Sequence, residues 1–235
     1  MRSAPPLTLL YRDEHLVVAD KPSGLLVHRG WGDDECVALT LVRDAVGAYV
    51  YPVHRLDRGT SGALVFALDA GVASALHGAF ESGGVEKRYL ALVRGRPPEQ
   101  GLVDHPIPRR EGGPRVEART SFRLVATSPV ERCSLVEARP ETGRLHQVRR
   151  HLKHAGHPVL GDANYGKGAL NRHYRDVFGL GRLALHAVSI AFAHPVSGMA
   201  LRIEAPVPAE LGQVLAALGL PCGPPGPLPG PPGQG

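Results

Sequence analysis

His54-Arg55-Leu56-Asp57-Arg58-Gly59-Thr60-Ser61-Gly62 separates two apolar runs, a β-prone one at 49–53 and one of strand length at 63–68. Two glycines and two hydroxyl residues mark a tight turn between strands. Asp57 sits at that turn, flanked by Arg55 and Arg58. A loop held by rigid strands is where catalytic side chains concentrate. Cationic neighbours favour an ionised carboxylate, the form a nucleophile or base must have. The same residues also fit the commoner case, a turn aspartate that bonds its own backbone.

Outward from this segment, strands and helices alternate without a βαβ rhythm. Short strands are expected at 7–11 and 16–19, around the charged turn Arg12-Asp13-Glu14, and Lys21-Pro22-Ser23-Gly24 reads as a turn. A helix is expected at 36–46, with Asp33 or Asp34 as its N-cap. Asp69 can cap the next helix, whose Val72, Leu76 and Phe80 share one face; Gly83-Gly84 ends it. Strands follow at 87–94, 119–126 and 134–138, with a Pro/Gly/Arg-rich loop at 106–114. A hairpin of 184–192 with 199–204 and a short helix at 210–218 complete the pattern. This mixture predicts an α+β fold with a largely antiparallel central sheet and flanking helices. One catalytic-size domain, 1–220, is expected, followed by a disordered Pro/Gly tail at 221–235.

The clearest amphipathic helix is 144–155, with Leu145, Val148, Leu152 and Ala155 on one stripe and Gly156 behind it. At about 100° per residue, Arg149 borders that stripe. A guanidinium beside a core seam needs an anionic partner, which an aspartate on another loop could supply; snorkelling to solvent is the alternative. Between Gly143 and Gly161 there is no acidic residue, while Arg144, Arg149, Arg150 and Lys153 are all cationic. Such a patch suggests a polyanionic partner, although a solvated helix face would look the same. Lys87-Arg88-Tyr89 opens a strand, where a tyrosine could stack on a base or simply edge the core. His146, His151, His154 and His157 invite a metal reading, but arginines surround them and no carboxylate or cysteine accompanies them in the helix. No metal and no cofactor are expected; there is no P-loop or dinucleotide fingerprint.

The 235 residues carry a net charge of +5 and 43% apolar residues, ordinary for a globular chain. No apolar run approaches a membrane span. The N-terminus lacks a signal-peptide pattern, so a cytoplasmic location without membrane contact is expected. The three cysteines, Cys36, Cys133 and Cys222, fit neither a disulfide framework nor a zinc knuckle.

Taken together, these segments resemble the RluA family of pseudouridine synthases over about residues 7–205. His54-Arg55-Leu56-Asp57 with Thr60-Ser61-Gly62 is similar to its catalytic motif. Lys87-Arg88-Tyr89 is similar to its tyrosine motif. Residues 142–149 followed by His157-Pro158-Val159-Leu160-Gly161-Asp162 are similar to its third motif, and Leu185-His186-Ala187 with His194-Pro195 to its closing segment. The resemblance implies the pseudouridine synthase fold and isomerisation of a uridine in RNA, without metal or cofactor. It implies that Asp57 is the catalytic carboxylate, that Arg149 pairs with it, and that Tyr89 stacks on the base. Arg55 would help extrude the uridine, and His54, Lys87 and Arg144 would bind substrate. Val27-His28-Arg29-Gly30-Trp31 and Asn171-Arg172 are similar to the subgroup acting on uridine 65 of tRNA, which favours tRNA over ribosomal RNA. Because the sequence opens on the catalytic segment, no preceding S4 RNA-binding domain is expected, and a monomer is expected.

Overall fold

The apolar runs around the 54–62 segment lie in one mixed sheet. In the computed structural model, which describes residues 7–29, 36–108 and 112–223, the chain starts as an antiparallel pair, β1 (Thr8–Arg12) and β2 (Leu16–Lys21). Asp13 closes their turn by accepting from the N–H groups of His15 and Leu16 at 2.7 and 2.8 Å. Helix α1 (Ala38–Val46) and the short β3 (Tyr51–Pro52) precede β4 (Ser61–Ala67). Then come α2 (Ala70–Glu81), β5 (Glu86–Arg94) and β6 (Gln100–Asp104). The tiny pair β7 (Ile107–Pro108) and β8 (Arg115–Val116) leads into β9 (Arg119–Thr127) and β10 (Cys133–Pro140). Helices α3 (Gln147–His154) and α4 (Gly168–Phe178), the hairpin β11 (Leu185–Ala193) and β12 (Ala200–Glu204), and α5 (Ala209–Ala217) finish it.

Among the described residues, ten strands form one sheet in the order β1-β2-β4-β11-β5-β10-β9-β6, with β12 on β11 and β3 on β4. Its pairs are antiparallel except β4 with β11. The α+β expectation with a mostly antiparallel mixed sheet is met. Residues 16–19 of β2 and 63–67 of β4 are unbroken apolar runs because both of their faces are covered. Leu16, Val18, Ala63, Val65 and Ala67 pack under α2, while Val17, Ala19, Leu64 and Phe66 pack on the α1 side. Full burial of each large apolar side chain contributes about 1.5–3 kcal/mol. A third core cluster lies where β5, β10, α3 and α5 meet.

Several boundaries differ from the sequence expectation, for identifiable reasons. Helix α1 begins at Ala38, with Val37 in the cap position and the Thr40 hydroxyl donating to the Val37 carbonyl at 2.9 Å. Asp33 and Asp34 lie outside the described residues. Helix α3 begins at Gln147, not Arg144, because His146 takes a left-handed backbone, φ 54, which breaks the helical path. The Gln147 side chain binds the segment before it instead, accepting from the Arg144 N–H at 3.0 Å and the Thr142 hydroxyl at 2.7 Å. The 106–114 loop contains the β7–β8 pair, with residues 109–111 outside the described set. Strand β6 and helix α4 carried no periodic signal strong enough to be read from the sequence. The Pro/Gly tail lies outside the described residues from 224 onward.

Candidate active site

The turn after β3 is docked from behind by the Lys21–Gly24 turn. Gly24 N–H donates to the Arg58 carbonyl at 2.8 Å, Arg58 Nε returns a bond to the Gly24 carbonyl at 3.0 Å, and the Ser23 hydroxyl donates to the Gly59 carbonyl at 2.8 Å. Buried Lys21 donates to the carbonyls of Pro22, Leu25 and Arg58. Burial pushes its ammonium down to about 7, with Arg182 adding to the shift. Gly62 completes the docking. Its φ is 113, and a Cβ there would sit 2.2 Å from the Ala187 carbonyl oxygen, where β4 meets β11 in parallel. Asp57 is thereby displayed at the mouth of the sheet, with 18% of its side chain exposed.

Arg149 reaches it from α3. Its Nη1 donates to Asp57 Oδ2 at 2.9 Å. The rest of the guanidinium is taken by Asp162, with Nε to Oδ2 at 2.7 Å and Nη2 to Oδ1 at 2.8 Å. Asp162 Oδ1 also accepts from the N–H groups of Asn164 and Tyr165. Although burial raises the Asp162 carboxyl, Arg149 and these amides bring its pKa below the ordinary range. The same two carboxylates outweigh burial at Arg149 and raise its pKa. A forked guanidinium shared by two carboxylates fixes direction as well as charge. The snorkelling alternative for Arg149 is excluded, since it is 7% exposed.

Asp162 is itself pinned. Gly161 has φ 74, and a Cβ there would lie 1.9 Å from the Arg182 carbonyl oxygen. Asn171 of α4 accepts from the Gly161 N–H at 3.1 Å and donates to the Asp162 carbonyl at 2.8 Å. Asn171 therefore serves the site through this turn.

Asp57, Tyr89 and Arg149 line one cleft of about 840 Å³, together with His54, Arg55, Lys87 and Arg144. The seven residues given a role by the resemblance all line this cleft, whereas Arg88, Arg150, His151, Lys153, His154 and His157 do not. Tyr89 is partly buried and packs against two core clusters, the one on the α1 side and the one where β5, β10, α3 and α5 meet. Burial, with Asp57 as a smaller cause, raises its phenol, so it stays protonated at neutral pH. Lys87 donates to the Thr142 carbonyl at 3.2 Å, and burial pulls its ammonium down to about 8. Arg55 and Arg144 are exposed; Arg144 Nε donates to the Glu117 carbonyl at 3.2 Å. His54 is tied into the scaffold. Its Nε2 accepts from the Val65 N–H at 3.0 Å, its ring stacks on Phe80, and burial drives its pKa down to about 3.

Arg88 turns to the other face of β5 and joins Arg123 and Arg139 around buried Glu137, which holds β5, β9 and β10 in register. Among the described residues, no group of three or more His, Cys, Asp or Glu is placed to hold a metal ion. His151 is instead bonded to the Thr120 hydroxyl and the His105 carbonyl. No described helix is long and apolar enough to cross a membrane.

Three neighbours of the pair were given no role at this site from the sequence: Asp162, quoted only as the end of a motif, His146, weighed only as a metal ligand, and Tyr165. The Tyr165 ring lies 5.0 Å from the Arg149 guanidinium, and its hydroxyl accepts from Arg150 Nε at 2.7 Å. His146 stands beside Asp57, with Nε2 3.8 Å from Oδ1. The signal for Asp162 was a carboxylate shortly after a buried arginine; nothing in the pattern marked Tyr165.

The family model for RNA pseudouridylate synthase matches residues 15–154. The chain is 41% identical to tRNA pseudouridine synthase C of Pectobacterium carotovorum over 87% of its own length and 60% of that protein's. It is 40% identical to the protein of the same name from Pasteurella multocida, covering 86% of this chain and 91% of the relative. Among solved structures, Human RNA Pseudouridylate Synthase Domain Containing 4 superposes with TM-score 0.72 at 28% identity, covering 89% of this chain and 92% of that one. Human RNA Pseudouridylate Synthase Domain Containing 1 gives TM-score 0.73 at 26% identity over 90% and 89%.

Proposed function

The chain belongs to the RNA pseudouridylate synthase family, and from that premise we propose that it isomerises a uridine of tRNA to pseudouridine, with Asp57 as the catalytic carboxylate. The carrying observation is the convergence of Asp57, Arg149 and Tyr89 on one cleft. The target nucleotide leaves its stack to enter, because the reacting atoms C1′, N1 and C5 are out of reach inside a duplex. Exposed Arg55, at the cleft mouth, takes the vacated place. Tyr89 stacks on the uracil and offers its hydroxyl, and Lys87 and Arg144 hold flanking phosphates.

The N1–C1′ bond breaks, uracil turns, and C1′ bonds to C5. C5 loses its proton and N1 gains one, so the product is an isomer and no energy source is consumed. Attack by Asp57 at C1′, attack at C6 and removal of a sugar proton all begin from the anionic carboxylate, the form that Arg149 binds by a charge-assisted bond.

The relatives matched over about nine tenths of their own length are named for tRNA, which favours tRNA over ribosomal RNA. Uridine 65 is the expected position. Residues 1–220 act as one catalytic domain, as a monomer in the cytoplasm. The test is to map pseudouridines in tRNA and ribosomal RNA from a strain lacking this protein, then restore wild type or Asp57→Ala. Loss of one tRNA pseudouridine, restored only by wild type, is expected. Loss confined to ribosomal RNA would overturn the substrate, and restoration by Asp57→Ala would overturn the role of Asp57.

A further inference from the structure

Arg149 holds only one oxygen of Asp57. Oδ2 accepts its Nη1 at 2.9 Å, while Oδ1 faces the His146 imidazole, with Nε2 3.8 Å away. That separation is too long for a hydrogen bond, yet short enough for a charge on the ring to be felt. His146 is also the non-glycine residue with positive φ among the described residues. A left-handed backbone at a residue with a side chain is strained, and such strain persists where the surroundings enforce it.

The far side of the ring favours one tautomer. His146 Nδ1 lies 3.0 Å from the Tyr165 hydroxyl, and Arg150 Nε lies 2.7 Å from the same oxygen. A guanidinium only donates. Arg150 therefore occupies one lone pair of Tyr165, and Nδ1 is the acceptor that the described residues place within reach of the hydroxyl hydrogen. With Nδ1 accepting, the neutral imidazole carries its hydrogen on Nε2, towards Asp57. The groups facing the ring pull both ways. Burial opposes protonation, as do Arg149 and Arg150; Asp57 and Asp162 favour it, and the pKa is lowered on balance. Lys153 adds a further cation across the Tyr165 ring, 5.6 Å from its centre.

We propose that His146 is a positioning residue for Asp57: as the neutral Nε2–H tautomer set by Arg150 and Tyr165 it leaves Oδ1 free to react, and on gaining a proton it clamps Oδ1 as a second cation and stops the reaction. The assignment rests on Asp57 being the catalytic carboxylate. It makes the acid limb of the pH–rate profile a property of His146.

The experiment measures single-turnover pseudouridine formation on a tRNA transcript between about pH 5 and 9 for wild type, Asp57→Ala, His146→Asn and Tyr165→Phe. Folding of each is checked by circular dichroism and thermal melting. Asparagine is chosen because it tolerates the left-handed backbone. His146→Asn should move the acid midpoint down by about one unit or more. Tyr165→Phe should move it up, because the neutral ring loses the donor on Nδ1. If both folded variants keep the wild-type midpoint, whatever their rates, the proposal is overturned and His146 only starts α3. If His146→Asn does not fold, an unmoved midpoint in Tyr165→Phe overturns it alone. Turnover by Asp57→Ala would instead overturn the reading on which the proposal stands.

Discussion

At Asp162 a single carboxylate decides how a second one is aimed, and the residue scale is where the account is most exposed to test. Asp162→Asn removes the anion facing the Arg149 fork and should cost about 3 kcal/mol, because a buried charge loses its main partner; a denaturant midpoint measures it. The sign with pH follows from the direction of the shift. The Asp162 carboxyl is depressed in the folded state, so its stabilisation is present above the unfolded value of about 4 and is lost as pH falls through the folded one. Wild type and Asp162→Asn should therefore converge in stability at low pH. Arg149→Lys keeps the charge but cannot span both carboxylates, and should slow turnover about a hundredfold. Lys87, held down to about 8, carries its charge below that pH. RNA affinity should weaken as pH rises through about 8 to 9, and a Lys87→Met variant should lack that step. Asp57, Arg149 and Tyr89 were legible in the sequence because each belongs to a short motif. The turn-aspartate and snorkelling alternatives lose their ground, since Asp57 and Arg149 bind each other across 92 positions of chain. Asp162 and Tyr165 were not legible as participants, because their roles depend on a turn folding back over α3.

At the scale of elements, apolar periodicity located β2, β4, α2, β5 and β11 to within about two residues. It failed where side chains other than apolar ones end or start a segment. The amphipathic stripe of 144–155 continues through Leu145, but the left-handed His146 starts the helix three residues late. Helix α4 was missed because its residues are mostly polar, with Tyr174 its fully buried side chain. The β4–β11 pair, parallel among antiparallel neighbours, depends on a glycine. In Gly62→Ala the new methyl would meet the Ala187 carbonyl oxygen, and φ 113 would be strained as well. We expect a loss of about 2 kcal/mol or more and a disproportionate loss of activity, since Asp57 hangs on the same loop. Unchanged melting and turnover in that variant would remove the loop-docking argument.

At the scale of the whole molecule, a sheet covered on both faces at β2 and β4 brings three distant segments to one cleft, where Arg55 and Arg144 stand exposed. The basic stretch between 143 and 161 was visible in composition. That Arg149 of the same stretch turns inward, while Arg144 turns outward, required the fold. RNA binding through the outward cations releases counterions, so affinity should fall at least about tenfold between about 50 and 200 mM salt, as filter binding would report. Catalysis by the convergent cleft is tested most directly by hydrogen release from C5. With tRNA transcript carrying tritium at uridine C5, wild type should release one tritium per uridine converted. The isosteric Asp57→Asn protein, folded and still bound to RNA, should release none above background; release within tenfold of wild type would contradict the account.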